Sequence, residues 1–428
     1  DRALSGALAA ADQIEAAHAK ASALSRIAAL YTKAGQQQQA DAALATALEI
    51  ANNIRRPYRK ARVLAEIGSQ FAATGGQDSA ALALAQALNT VQTIESASAQ
   101  AEALAGIAGH HAKLGDQDQA TQLLANAVQT ARKIERAHSM AVVLLEIAAT
   151  YAETGEKDEA GRVLAQALAT ADTIEQAAIR IWTLTEVAQR YADIGYFDQA
   201  LATASTIEDG SNKATVLGRI AAQHARAGQF SLALETSRGI EFAAPREQAL
   251  AAIAAAYAAA GQLLQAKQTA GSIEHPGRKA RVLVDIAAGY ATTGDPNQAD
   301  ETLSEALATA GDIEDPPAKA EVLIGIASRY AQATQQERAA QTLSLAMETA
   351  NSIADPAARV GILVEIAAQH AAAGRQEPAG RILSRALEEA IAVKPADSQA
   401  GVLAAVADGY TSAALQPSDE DKAVLRAL

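Results

Sequence analysis

The chain has 428 residues, half of them apolar but only 3% aromatic, and a formal charge of −13. Such a balance lacks the basic face that phosphate backbones require, which argues against nucleic acid as a main partner. No apolar run approaches the length of a membrane span, and with no cysteine neither disulfides nor thiolate metal sites can form.

In chain order, the first residues stand in register with a later segment: Asp1 aligns with Asp41, one residue past Ala40. The start is therefore predicted to lie inside a second helix whose partner is absent, and Ser418 to Leu428 to begin another second helix. The expectation is that the intact protein continues beyond one or both termini. From there one pattern governs everything. Its clearest copy is Leu144-Leu145-Glu146-Ile147-Ala148-Ala149-Thr150-Tyr151-Ala152-Glu153-Thr154-Gly155. The closing glycine recurs at Gly35, Gly75, Gly115, Gly155 and Gly195 in steps of 40, then at Gly228, Gly261 and Gly294 in steps of 33. The register continues by 40 through Thr334, Gly374 and Ala414. An isoleucine column, from Ile14, Ile54 and Ile94 to Ile353 and finally Val393, keeps the same step. A fixed period in this range marks a solenoid.

Each unit reads as two helices. Leu144, Ile147, Ala148 and Tyr151 recur at three- and four-residue spacing, and Gly155 supplies a stop where positive φ is needed. Ala160, Leu164, Ala167, Leu168, Ala171 and Ile174 form a second stripe. Asp315-Pro316 and Asp355-Pro356 are N-terminal caps followed by proline at the first helical position. Short connections predict antiparallel neighbours. The two periods differ by seven residues, about two turns, so the insertion reads as helix that keeps its buried face buried.

The run Leu24…Ile27-Ala28…Tyr31…Gly35…Ala40…Leu44…Ala47 resembles the tetratricopeptide repeat, and the resemblance recurs through nearly the whole chain. The family's usual period is 34, against 33 or 40 here, and its closing proline is missing. The resemblance implies an all-α, right-handed solenoid superhelix of about ten helix pairs, with first helices lining the inner face and no catalytic activity or cofactor. It places Ser25, Ala65, Ala105, Leu145, Thr185, Gly218, Ala251 and Val284 in the groove. A second groove column is Ala29, Ser69, Gly109, Ala149, Gln189, Ala222, Ala255 and Ala288. Chaperone-binding members clamp a terminal carboxylate there with lysine and asparagine. Neither column has them, so that activity is not carried over.

No linker interrupts the array, and one continuous domain over 1–428 is expected: long repeats 1–195, short repeats 196–273, long repeats 274–428. The short second helices are predicted at Phe197–Ile207, Phe230–Ile240 and Leu263–Ile273. Opposite the missing turns lie the starts of three first helices, near 177–183, 210–216 and 243–249. Most aromatics occupy one core column, with His111, His224 and His370 in the same column. Of the six aromatics outside it, Trp182, Tyr196, Phe197, Phe230 and Phe242 cluster here and only Tyr58 does not. Phe197, Phe230 and Leu263 share a core position. Trp and Tyr are favoured at binding hot spots, and Trp182, Tyr196 and Phe242 carry both a packing and a binding reading.

A basic column (Lys20, Lys60, Arg180, Lys213, Arg246, Lys279, Lys319, Arg359) runs beside an acidic one (Glu15, Glu95, Glu135, Glu175, Glu208, Glu241, Glu274, Glu314), and matched periodicity predicts an ion-pair ladder. Glu146 and Glu186 share a column in adjacent repeats, and helices packed about 8–10 Å apart approach the spacing of an inverting carboxylate pair. Arg190, one turn from Glu186, is its expected ion-pair partner. No phosphate loop, zinc-protease helix or nucleophile elbow appears.

The reading is a non-catalytic scaffold that takes a protein or peptide partner near residues 177–249, through Trp182, Tyr196, Phe242, Arg180 and Arg190. Two alternatives stay open. One is a structural module that forms homo-oligomers through open ends; the other is an α-helical hydrolase using Glu146 and Glu186. A soluble protein, cytoplasmic rather than exported, is preferred, although no residue fixes the compartment.

Overall fold

The computed structural model describes residues 2–394, 396–418 and 421–422. Asp1 and residues 423–428, on which the expectation of helices open at both termini depended, lie outside them. Among the described residues the only regular secondary structure is helix.

The chain divides into two compact units, residues 1–216 and 217–428. The first begins with α1 (Arg2–Asp12), α2 (Ala17–Lys33), α3 (Gln37–Asn52), α4 (Pro57–Ala73), α5 (Gln77–Val91) and α6 (Ala97–Lys113). It continues with α7 (Gln117–Ala131), α8 (Ala137–Glu153), α9 (Lys157–Ala171), α10 (Ala177–Asp193) and α11 (Phe197–Ser205). The division falls inside α12 (Gly210–Arg226). The second unit holds α13 (Phe230–Arg238), α14 (Ala243–Ala259), α15 (Leu263–Gly271), α16 (Pro276–Thr292) and α17 (Pro296–Gly311). It closes with α18 (Pro316–Gln332), α19 (Gln336–Asn351), α20 (Pro356–Ala372), α21 (Gln376–Ile391) and α22 (Ala396–Ser412).

Within each unit this is an all-α solenoid of tetratricopeptide-like helix pairs. First helices α2 to α10 and α14 to α20 each pack on their own second helix, and consecutive first helices pack on one another from α2 to α10 and from α14 to α22. The buried stripes are those the spacing predicts. Leu144, Ile147, Ala148 and Tyr151 of α8 are buried, as are Ala160, Leu164, Ala167 and Ala171 of α9. The alanines leave little space between backbones, and alanine is also the best helix former.

Period and helix length agree. Every first helix from α2 to α22 has 17 residues. Second helices after α1 have 15 or 16, except α11, α13 and α15, which have 9 each. Of the seven extra residues of the long repeats, six or all seven are therefore helix. The isoleucine column sits just past the second helix rather than in it. There Ile174 and its equivalents are largely buried and their amides donate to the carbonyl three residues back.

The turn between paired helices is the same in every repeat. Its central residue has positive φ at Gly35, Gly75, Gly115, Gly155, Gly195, Gly228, Gly261, Gly294 and Gly374, and also at Thr334 (61°) and Ala414 (52°). The amide of the following residue donates to the carbonyl of the aromatic-column residue, as from Glu156 to Tyr151 at 2.9 Å, and the glycine amide donates one residue further on, from Gly155 to Ala152 at 3.1 Å. This double closure satisfies carbonyls that the helix end leaves orphaned. The three-residue turn brings the second helix back antiparallel against the first.

The N-caps at Asp315 and Asp355 form as predicted, each carboxylate accepting from the amide three residues on at 3.0 Å. The basic column does something else. The acidic column beside it is exposed, and no ion pair joins the two among the described residues. Five of the eight cations instead reach the C-terminal end of the preceding second helix. Lys20 donates to the Asp12 carbonyl, Lys60 to Asn52, Lys319 to Gly311, Arg180 to Ile174 and Arg359 to Ile353. Gln100 and Gln399 do the same from the same column without a charge. Orphaned carbonyls and the negative end of the helix dipole explain a column of donors there.

Left-handed backbone costs a non-glycine residue about 1–2 kcal/mol, partly offset by the greater unfolded freedom of glycine, about 0.5–1 kcal/mol. Thr334→Gly is therefore expected to stabilise the protein by up to about 1 kcal/mol, and Gly155→Ala to destabilise it by about the same. Chemical denaturation of the two variants checks both signs.

Candidate partner-docking face

The first helices place their column residues side by side, but the contacts run on a diagonal. Ser22 donates to Glu66 at 2.6 Å, 44 residues on, which is one repeat plus one helical turn. The same offset joins Tyr58 to Glu102, Glu102 to Glu146, Glu146 to Arg190, and His138 to Trp182. In the second unit it joins Asp285 to Arg329 and Glu321 to Glu365. Same-column pairs such as Arg281–Glu321 occur beside it.

This offset changes the reading of the two glutamates. Arg190, expected beside Glu186, acts on Glu146 of the preceding first helix. Burial, and then the Glu102 carboxylate, push the Glu146 carboxyl up, and the Arg190 guanidinium opposes them. The charge neighbours that shift Glu146 are thus Glu102 and Arg190.

The structure also reassigns the groove columns. Ser25, Ala65, Ala105, Leu145, Thr185 and Val284, expected to line it, are buried, wedged where adjacent first helices meet. Gly218 and Ala251 are half-buried. The second column, from Ala29 and Ser69 through Ala149 to Ala288, is partly exposed and does lie at the surface.

The five expected site residues separate by environment. Trp182, on α10, is 44% exposed, its ring edge-on to His138 of α8 at 5.7 Å between centroids. Arg190 lies two turns further along the same helix. Tyr196 is held within the fold. Its hydroxyl donates to Asp158, its ring stacks on Tyr191 at 6.4 Å, and a Cβ on Gly161 would come within 2.4 Å of it. Arg180 caps α9 through the Ile174 carbonyl. In the second unit Phe242 is 46% exposed at the N-cap position of α14 and makes no capping bond. The shared core position is packed at Phe230, which stacks on Tyr257 at 3.9 Å, and at Leu263, which is buried.

Two features were not foreseen. A cavity of about 890 Å³ opens between α1, α2 and α4, where Arg59 approaches His18 and Arg26 faces Glu66. A smaller cleft of about 130 Å³ lies between α8, α9 and α10, floored by Ala148, Ala149, Ala152 and Leu164 and rimmed by Glu153, Arg190 and Asp193. The second could have been found by aligning the last residue of each first helix. Among the described residues no three potential ligands converge on a metal-sized site, and no helix is long and apolar enough to cross a membrane.

No protein-family model matches this chain, and no curated protein does. Among solved structures it is similar to Ton1535 from Thermococcus onnurineus NA1, at 18% identity, 84% of this chain, 94% of that one and a TM-score of 0.34. It is also similar to a signal-transduction ATPase with a tetratricopeptide-repeat sensor from Pyrococcus horikoshii, at 16% identity, 67% and 41% coverage and a TM-score of 0.32. A Rap protein complexed with Competence and Sporulation Factor matches at 13% identity, 86% and 97% coverage and a TM-score of 0.27. Scores this low carry no argument of their own; the helix-pair architecture stands on the turns and packing described above.

Two outcomes are expected. Tyr196→Ala removes a ring packed on Gly161 and should cost about 1–3 kcal/mol in denaturation, with Gly161→Ala relieved in the Tyr196→Ala background. His110, which hydrogen-bonds Ser69, is pushed down to about 4 from 6.5 by burial first, then by the Lys113 and His111 charges. The fold favours its neutral ring, so the unfolded chain takes up the proton first. The stability this contributes is present above about 6.5 and is lost as pH falls toward 4. Melting temperatures across that window should fall less steeply for His110→Gln than for the parent.

Proposed function

We propose that this chain is a non-catalytic scaffold that takes a protein or peptide partner on the first-helix face of its first unit, centred on Trp182. One observation carries the reading. The only tryptophan of the chain stands 44% exposed, although the fold offers buried aromatic positions in nearly every repeat. An indole left in water at a helix face gains most when a partner covers it.

Of the stretch 177–249, Arg180 and Tyr196 are committed to intramolecular contacts and Arg190 is set against Glu146, which leaves Trp182 as the docking residue. Phe242 is an exposed aromatic of the second unit and is a separate candidate. The neighbours of Glu146 support a charge-balancing role on this face better than a pair of catalytic carboxylates.

Trp182→Ala should leave unfolding stability within about 0.5 kcal/mol, as for surface substitutions. It should weaken partner capture from the native source by about 2 kcal/mol or more. Full retention of every captured protein by Trp182→Ala would move docking elsewhere.

A further inference from the structure

The chain carries −13 overall, yet one stretch of it is strongly basic. Arg55-Arg56-Pro57-Tyr58-Arg59-Lys60-Ala61-Arg62 holds five cations in eight residues, and no acid stands between Glu49 and Glu66. In the acidic loop column, where neighbouring repeats place Glu15, Glu95 and Glu135, this repeat places Arg55. The sign also changes on the preceding first helix. Arg26 occupies a column that holds Glu66, Glu146, Glu186, Asp285 and Glu365 in sister repeats, and Arg219 is the one other cation in it.

Some of these cations are used by the fold. Lys60 donates to the Asn52 carbonyl at 2.9 Å. Arg62 meets the Tyr58 hydroxyl, which also lies against Glu102, much as its sister Arg281 meets Glu321. Arg59 differs. One sister alone carries a cation at its position, Arg278, and that guanidinium is set 3.2 Å from the buried carboxylate of Glu247. At the position of Glu247, the helix before Arg59 has Ala21. Arg59 therefore keeps the charge of Arg278 without its counter-charge. Its guanidinium approaches the His18 ring at 3.1 Å, and no carboxylate pairs with it among the described residues.

Arg59 and His18 both line the cavity of about 890 Å³ between α1, α2 and α4. Much of the remaining wall is apolar, from Ala10 and Ile14 beside α2 to Ala23 and Val63. Arg26 also lines it, 4.0 Å from Glu66 and with 83% of its side chain exposed. Glu66 is the one carboxylate of the lining and accepts from the Ser22 hydroxyl at 2.6 Å. Small-molecule sites are concave spaces of roughly 300–1,000 Å³, mainly apolar, with a few polar groups that fix orientation. From the uncompensated guanidinium and the apolar cavity it lines, we propose that α1, α2 and α4 bind a small organic anion, a carboxylate or phosphate on an aliphatic body. The head group lies against Arg59, whose planar fork offers parallel N–H donors to such oxygens. The aliphatic body lies on the alanines and Ile14, out of water.

Calorimetric titration with octanoate and octyl phosphate tests this. Both should bind saturably, and the tighter of the two names the head group. Octyl trimethylammonium, with the same tail and the opposite charge, should not bind. Acetate and inorganic phosphate, heads without tails, should bind at least about tenfold more weakly than their octyl counterparts. Arg59→Gln should weaken both octyl anions about tenfold or more, the loss expected when a charged hydrogen bond is removed. Ala10→Ile introduces the residue that the next repeat carries at Ile50, and should weaken them by narrowing the cavity. Arg136→Gln, the same charge change at the exposed N-cap of α8, should bind like the parent. Melting curves confirm that each variant is folded, and the comparison of probes on the parent protein needs no variant. No binding of either octyl anion, equal binding of octyl trimethylammonium, or undiminished binding to Arg59→Gln would overturn the proposal. Equal weakening by Arg136→Gln would do the same, because it would reduce the effect to overall charge.

Discussion

The fold depends on a single backbone requirement met once per repeat: a residue with positive φ two places before a second helix. That residue lets two amides fold back onto carbonyls of the first helix, one of them the carbonyl of the aromatic-column residue. Helix end, turn direction and the burial of Tyr151 and its equivalents are thereby fixed together. Thr334 and Ala414 show how strongly the surroundings impose it, since both adopt the conformation without being glycine. Packing of adjacent first helices holds the turn in place even where its local preference is absent.

Given that turn, the second helix can change length without disturbing its neighbours. Its start is set by the turn, and its buried alanines step away from there at helical period. Removing seven residues removes about two turns from the far end and leaves the face that meets the first helix in phase. The isoleucine that follows still closes the layer, and Ile207, Ile240 and Ile273 are as buried as their counterparts in long repeats. First helices cannot vary in this way where both sides are gripped by other first helices, as in α4, α6, α8, α16, α18 and α20. All of them keep 17 residues.

Elements of this kind are legible in a sequence because they are periodic along the chain. The turn column, the Asp-Pro caps and the helical insertion all follow from local spacing. What lies between repeats is harder, because the offset of neighbouring helices is not written in any one repeat. Aligning repeats by 40 sets Glu146 beside Glu186. The packed helices slide by a turn, and the neighbour becomes Arg190. The same slide buries Ser25 and Leu145, which a flat alignment places in the groove. The basic column was misassigned for a different reason. Two columns of opposite charge suggest pairing, yet the stronger demand comes from backbone carbonyls at the end of each second helix. Gln100 held that clue, since a neutral donor in a charged column points to an acceptor that is not a carboxylate.

A repeat protein contains its own controls. Nine other first helices solve the same packing problem as α8 and α10 or one close to it, so a departure confined to one place is not a requirement of the fold. At the C-terminal position the sister repeats use lysine, arginine or a neutral residue, and any of these would suit the helix dipole better than Glu153 or Asp193. At the position of Trp182 the sister repeats carry residues such as Ser22, Arg62, Glu102 and Val142, none of which leaves a large apolar surface in water. The unfavourable choices therefore coincide on two adjacent helices, beside a carboxylate, Glu146, that burial already disfavours in its charged form. Exposed apolar area of this kind is relieved when another surface covers the indole.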